Sequence, residues 1–160
     1  MARVLVVGCG CRGRSLAAAL RADGHAVRGT TRSADRLAAI EASGVEGVVA
    51  DPDRLGTIMG QLAGVTVVCW LMGTATGAPE LHGPRLETLL ERLVDTPVRG
   101  IVYEAAGTVE PALLAAGAAA VRAAAQRWRM PAEVVEADPA DHEGWLAAMG
   151  AAVGRLLAGA

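Results

Sequence analysis

The residues with the most chemical content lie near the start of the chain. Gly8-Cys9-Gly10-Cys11-Arg12-Gly13 fits the spacing G-x-G-x-x-G. It follows the apolar run Val4–Val7 directly and opens a segment of helical periodicity. In that setting each glycine has its own role. Gly8 permits a tight turn, Gly10 lets the backbone approach a pyrophosphate, and Gly13 lets the helix pack closely on the strand. The N–H groups at the helix start, including those of Cys11 and Arg12, have no partner in their own helix and would hold the negative charge. The competing reading is a glycine-rich turn in an unrelated α/β domain, and the position of the motif weighs against it.

A second group follows about 20 residues later, where such sites read the ribose. The stretch is Gly29-Thr30-Thr31-Arg32-Ser33, with no carboxylate. An acidic residue here would favour NAD. Arg32 instead offers a planar fork for a 2′-phosphate, flanked by the hydroxyls of Thr31 and Ser33. NADP is the expected cofactor, with NAD as the alternative. Two residues could move a proton. Glu104 closes the fifth apolar run, and His82 sits in the glycine-rich stretch Gly73–Gly83, within Met72–Pro84, a candidate mobile lid over the cofactor. The bland readings are a capping or solvated carboxylate and a solvated loop histidine. Cys9 and Cys11, beside Arg12 and a helix start, occupy an environment that can lower a thiol pKa.

The elements that must position these groups alternate along the chain. Apolar runs at Val4–Val7, Ala26–Gly29, Val45–Ala50, Val65–Trp70, Gly100–Glu104 and Ala132–Glu136 are each followed by a helical pattern. Asp53 is the expected N-cap of the third helix, Gly44 the C-terminal cap of the second, and Pro111 starts the fifth. Near-continuous apolar strands joined by helices imply a parallel sheet covered on both faces. The expected fold is α/β, a doubly wound six-stranded parallel sheet of Rossmann type in the order 3-2-1-4-5-6, as one domain over residues 1–160.

Val4–Gly10, Leu20–Gly29 and Thr31-Arg32-Ser33, with Val49–Asp53 and Leu62–Val68, resemble the cofactor half of atypical and extended short-chain dehydrogenase/reductase proteins. That group includes nucleotide-sugar epimerase-like and NmrA-like members, and the resemblance covers roughly residues 1–107. It implies that Asp51 and Pro52 lie near the adenine, and that Leu71, Met72 and Gly73 lie near the nicotinamide ribose. It also implies a serine after strand five and a Tyr-x-x-x-Lys pair, which this chain lacks. Its only tyrosine is Tyr103, Gly107 stands four residues on, and there is no lysine. The resemblance also implies the C-terminal substrate domain of extended members, for which no counterpart is expected within residues 1–160. A methyltransferase loop would carry an acidic residue at Val6, a glycine at Arg12 and a carboxylate after strand two, and has none of these.

Composition bounds the rest. The 160 residues are 52% hydrophobic and 20% charged, with formal net charge −2, and the 15 basic residues are all arginine and scattered. A nucleic-acid partner is not expected. No run is long enough for a signal peptide or a bilayer span, and three cysteines make neither a disulfide framework nor a zinc site. The expectation is a reduced, cytoplasmic protein. Apolar residues in the fifth and sixth helices, Trp145, Met149, Val153, Leu156 and Leu157 among them, imply a homodimer through the C-terminal helices. Two functions fit: a small NADP-dependent oxidoreductase using Glu104 or His82, or a non-catalytic dinucleotide-binding sensor.

Overall fold

Side chains of successive strand residues point to opposite faces, so an apolar run in the middle of a sheet needs cover on both sides. In the computed structural model, which describes residues 1–159, that cover is two helical layers. The strands are β1 (Arg3–Val7), β2 (Ala26–Thr31), β3 (Glu46–Val49), β4 (Val67–Trp70), β5 (Gly100–Glu104) and β6 (Ala132–Val135). The helices are α1 (Cys11–Ala22), α2 (Leu37–Ala42), α3 (Leu55–Met59), α4 (Pro84–Leu93), α5 (Pro111–Trp128) and α6 (His142–Ala158). Single 3-10 turns stand at Ala34–Arg36 and Pro79–His82. All pairings are parallel and the order is β3-β2-β1-β4-β5-β6, as expected.

The alternation of β1 divides the core. Leu5 and Val7 face α3, α4 and α5, together with Val68, Trp70, Ile101 and Tyr103. Val4 and Val6 face α1, α2 and α6, together with Val67, Cys69 and Val102. The order reverses between β1, which pairs with β2, and β4, so the crevice above their carboxyl ends is the switch point of the sheet.

Besides one-residue shifts at the ends of β1, β3 and β6, three boundaries differ from the sequence reading. β2 runs on to Thr31, because Ala50 donates its N–H to Thr31 O and extends the ladder. β4 begins at Val67, Val65 being held in a turn through Leu62 O. Asp53 does not cap α3: Arg54 holds the N-cap position, and Asp53 instead accepts from Arg85 Nε at 3.1 Å. Gly44 does close α2, with φ +80° and its N–H on Glu41 O. Asp141 caps α6 by accepting from the Gly144 amide at 3.2 Å.

The surplus of apolar surface on the last helix is absent. Trp145, Met149, Val153 and Leu156 are buried against the sheet, and the large hydrophobic side chains exposed among the described residues are Met1, Val49 and Val94. Four of the five residues named for a dimer through α5 and α6 are thus covered within one chain, and Leu157 is half-buried.

α5 approaches β5 closely at Gly117, where a Cβ would collide with the hydroxyl of Tyr103. We expect Gly117→Ala to lower the unfolding free energy in urea by about 1–3 kcal/mol, although alanine is the better helix former. An unchanged midpoint would show that the helix shifts without cost.

Candidate functional site

The turn after β1 is built by backbone crowding. Gly8 has φ +86°, and a Cβ there would stand 2.5 Å from Met72 Cε and 2.8 Å from Leu71 O. Both the conformation and the space exclude other residues. β2 holds the turn: the Gly8 amide donates to Thr30 Oγ1 at 3.2 Å and the Cys9 amide to Thr30 O at 3.0 Å. At Gly13 a Cβ would lie 2.9 Å from Gly8 O and 3.2 Å from Val6 Cγ1, so the start of α1 sits directly on β1. Gly10 is different, since a Cβ there would meet nothing within 4 Å. The first bond of α1 runs from the Arg14 amide to Gly10 O. The amides of Cys11, Arg12 and Gly13 are thus the unpaired donors of the first turn.

Beside this turn lies a cleft of about 550 Å³, lined from the loop by Gly8, Cys9, Gly10 and Arg12 and not by Cys11 or Gly13. It brings together Gly8, Gly10 and Arg12 from the loop, Thr31 and Arg32 from the end of β2, Asp51 and Pro52 after β3, and Leu71 and Met72 after β4. Arg32 is exposed and makes no hydrogen bond or ion pair among the described residues. Arg36, on the 3-10 turn that follows, lines the same cleft and is likewise exposed and without such a partner. The sequence reading passed over it because only the 3-10 turn Ala34–Arg36 brings it back beside Arg32. Other predicted residues serve the frame. Gly13 is packed under the loop, and Ser33 caps the 3-10 turn by accepting from the Asp35 amide at 3.3 Å. The Gly73 amide points to Glu104 at 2.8 Å rather than into the cleft.

The two proton-transfer candidates are both buried. Glu104 is 0% exposed, and four donors converge on it. Oε1 accepts from Arg12 Nη2 at 2.7 Å and from the Gly73 amide at 2.8 Å. Oε2 accepts from Arg12 Nε at 3.2 Å and from Trp145 Nε1 at 2.8 Å. Such a carboxylate has its lone pairs filled, so no oxygen site on it is open to a substrate proton. It is neither the solvated nor the capping carboxylate of the bland reading. His82 is 1% exposed. Its Nε2 lies 3.0 Å from Met72 O, which can only accept, so Nε2 carries the proton and Nδ1 accepts from the Tyr103 hydroxyl at 2.6 Å. It is therefore not a solvated loop histidine. Burial lowers the His82 pKa, against a raising contribution from the Met72 carbonyl, and raises that of Tyr103, helped by Glu104.

The glycine-rich stretch is anchored at both ends, contrary to a free lid. Gly73 O accepts from the Val109 amide at 3.0 Å, Trp70 Nε1 donates to Leu81 O at 3.0 Å, and His82 holds Met72. The thiols differ as well. Cys9 is buried with Sγ against Gly29, and burial pushes it up to about 11, with Arg14 pulling weakly the other way. Cys69 is pushed up to about 12 by burial alone. Neither is an activated nucleophile. Cys11 is exposed, and its sulfur accepts from Arg14 Nη2 at 3.3 Å.

A doubly wound sheet with a glycine-rich phosphate loop at its switch point defines the Rossmann class. No family model matches the sequence, and no curated protein does. Solved structures do share the fold. Triphenylmethane reductase from Citrobacter sp., complexed with NADP(H), matches with TM-score 0.64 and 19% identity over 82% of this chain and 48% of that one. A short-chain dehydrogenase/reductase superfamily protein from Agrobacterium tumefaciens with bound NAD matches with TM-score 0.63 and 20% identity over 82% and 48%. A putative NAD-dependent epimerase/dehydratase from Bacillus halodurans matches with TM-score 0.65 and 19% identity over 85% and 70%. The chain spans about half the length of the first two. The resemblance read from the sequence is thus met at the level of fold. No helix among the described residues is long and apolar enough to cross a membrane.

Because the folded state lowers the His82 pKa below 6.5, it favours the neutral ring. The unfolded chain binds the extra proton first, so this contribution is complete above pH 6.5 and is lost as pH falls below it. We expect the unfolding midpoint to drop between about pH 7 and 5, and His82→Gln to flatten that drop. An identical pH profile in the variant would remove His82 as its cause.

Proposed function

We propose that the protein binds a nicotinamide dinucleotide, NADP in preference to NAD, and acts as a binding module that reports cofactor state to a partner. The observation that carries the first part is the cleft itself: unpaired amides of the first turn of α1 beside the open space at Gly10, with Arg32 unpaired at the end of β2. The residues fit the group. The amides of Cys11, Arg12 and Gly13 would hold the diphosphate. Arg32, with Arg36 and Thr31 beside it, would hold the 2′-phosphate. Asp51 and Pro52 would border the adenine, and Leu71 and Met72 the sugar beyond the diphosphate. The neighbours solved with NADP(H) and with NAD support the cofactor class and do not separate the two.

The filled partners of Glu104, His82 and Tyr103 favour the non-catalytic reading. Each could take up or surrender a proton only by breaking a buried hydrogen bond. When bound, a nicotinamide dinucleotide supplies hydride chemistry. One observation keeps an oxidoreductase in view: a hollow of about 430 Å³ beyond the end of β5, floored by Ala105, Ala106, Leu114 and Ala118 and rimmed by Arg122, Glu136 and Asp138. Its size suits a small substrate.

Calorimetric titration with NADPH and NADH tests the binding. Arg32→Ala is expected to cost about 1–3 kcal/mol for NADPH and to leave NADH nearly unchanged. Equal losses for both would reject the 2′-phosphate role. Incubating the NADPH-loaded protein with a panel of carbonyl compounds separates the two functions. Tight binding without loss of absorbance at the reduced nicotinamide band is the expected result, and steady oxidation would establish the oxidoreductase.

A further inference from the structure

Resting on the nucleotide reading above, we infer that the Arg12 side chain is a preset diphosphate clamp and that buried Glu104 is the positioning residue that aims it. The guanidinium has five N–H donors in a planar fork. Nε and Nη2 are spent on the Glu104 oxygens, and one hydrogen of Nη1 goes to Thr74 Oγ1 at 3.0 Å. One N–H on each terminal nitrogen remains. Trp145 covers one side of the group, with its ring centroid 5.5 Å from Cζ. The side chain is only 24% exposed, and it lines the cleft beside Gly8 and Gly10. The free donors therefore share the cleft with the loop at Gly8 and Gly10, next to the unpaired amides of the first turn of α1.

The ligand class follows from charge. Glu104 neutralises the guanidinium, so Arg12 recognises oxygens by short-range hydrogen bonds rather than by net charge. Arg32 has no such counter-ion and attracts a phosphate over a longer distance. Swinging Arg12 out would leave a carboxylate buried and uncompensated, which is strongly unfavourable. The fork thus stays in place before the ligand arrives, and binding does not have to order it. A diphosphate, whose adjacent oxygens can meet both the amides and the fork, fits this arrangement better than a single phosphate remote from the loop. The same carboxylate also accepts from Trp145, so α6 helps to seat the clamp.

Calorimetry with ADP and with adenosine 2′-monophosphate tests this at two salt concentrations. Arg12→Lys keeps the ion pair but loses the fork. It should weaken ADP about tenfold or more and leave adenosine 2′-monophosphate within about twofold. Glu104→Gln should weaken ADP and make its binding more salt-dependent, because the freed guanidinium then acts as a net charge. A merely structural role would not change the salt dependence. If Glu104→Gln does not fold, Trp145→Phe removes one of the donors that seat Glu104, and it should weaken ADP several-fold with the salt dependence unchanged, because the ion pair is intact, and leave adenosine 2′-monophosphate within about twofold. Wild-type ADP affinity in Arg12→Lys would overturn the clamp, and an unchanged salt dependence in Glu104→Gln, or wild-type ADP affinity in Trp145→Phe, would overturn the positioning role. If the wild-type protein bound neither ADP nor NADPH, the nucleotide reading would fall first.

Discussion

A carboxylate in the interior of a sheet cannot be left without donors, and the end of β5 is organised around meeting that demand. Glu104 draws its hydrogen bonds from α1, from the turn after β4 and from α6. One side chain thus ties together three segments that are distant in sequence. The ion pair with Arg12 spans 92 residues, and the bond to Trp145 spans 41. Removing Arg12 would leave a buried charge without its counter-ion, a cost of about 3–5 kcal/mol. The phosphate loop, the β4 turn and the C-terminal helix are therefore not independent neighbours. Each is held partly by the same pair of oxygens, and the loop inherits the rigidity of the whole carboxyl end of the sheet.

Backbone crowding completes the frame where no side chain fits. A Cβ at Gly8 would strike Leu71 O, and one at Gly73 would strike Glu104 and the carbonyl of Ala106. The chain segments after β1, β4 and β5 thus pass within direct contact of one another, which is possible only with glycine at the crossing points. Such contact closes the floor of the crevice and leaves its roof to whatever the free amides and arginines attract. Closeness at the floor and openness at Gly10 are two consequences of one packing arrangement.

The parts of this arrangement that were legible from sequence are those with local causes. β-branched runs, turn glycines and helix-starting prolines act within a few residues, so strand order, the Gly8–Gly13 turn and the Gly44 cap could be read directly. Arg32 could also be read, because its position relative to β2 is fixed by one strand end. What escaped was decided by long-range packing. Nothing near Glu104 in the chain indicates that Arg12 and Trp145 will reach it. His82 looks like a loop residue among glycines and prolines, yet the 3-10 turn at Pro79–His82 tucks it inward, where Tyr103 and Met72 consume both ring nitrogens. Asp53 has the composition of an N-cap, but Arg85 from a helix 32 residues away captures it first.

The burial of Tyr103 also decides what a lysine could do at the carboxyl end of β5. A lysine beside a tyrosine works by stabilising the phenolate, which requires the hydroxyl to lie at a wet, reactive surface. Here Tyr103 is turned inward, its hydroxyl bonded to His82 and closed over by Gly117, and both burial and the nearby Glu104 charge hold its proton more firmly. A neighbouring cation would find nothing to activate. Tyr103 and His82 instead form a neutral, fully bonded pair that fixes Met72, one wall of the cleft, through its carbonyl. Polar groups at the carboxyl end of β5 thus hold shape, and through Met72 they fix one wall of the cleft.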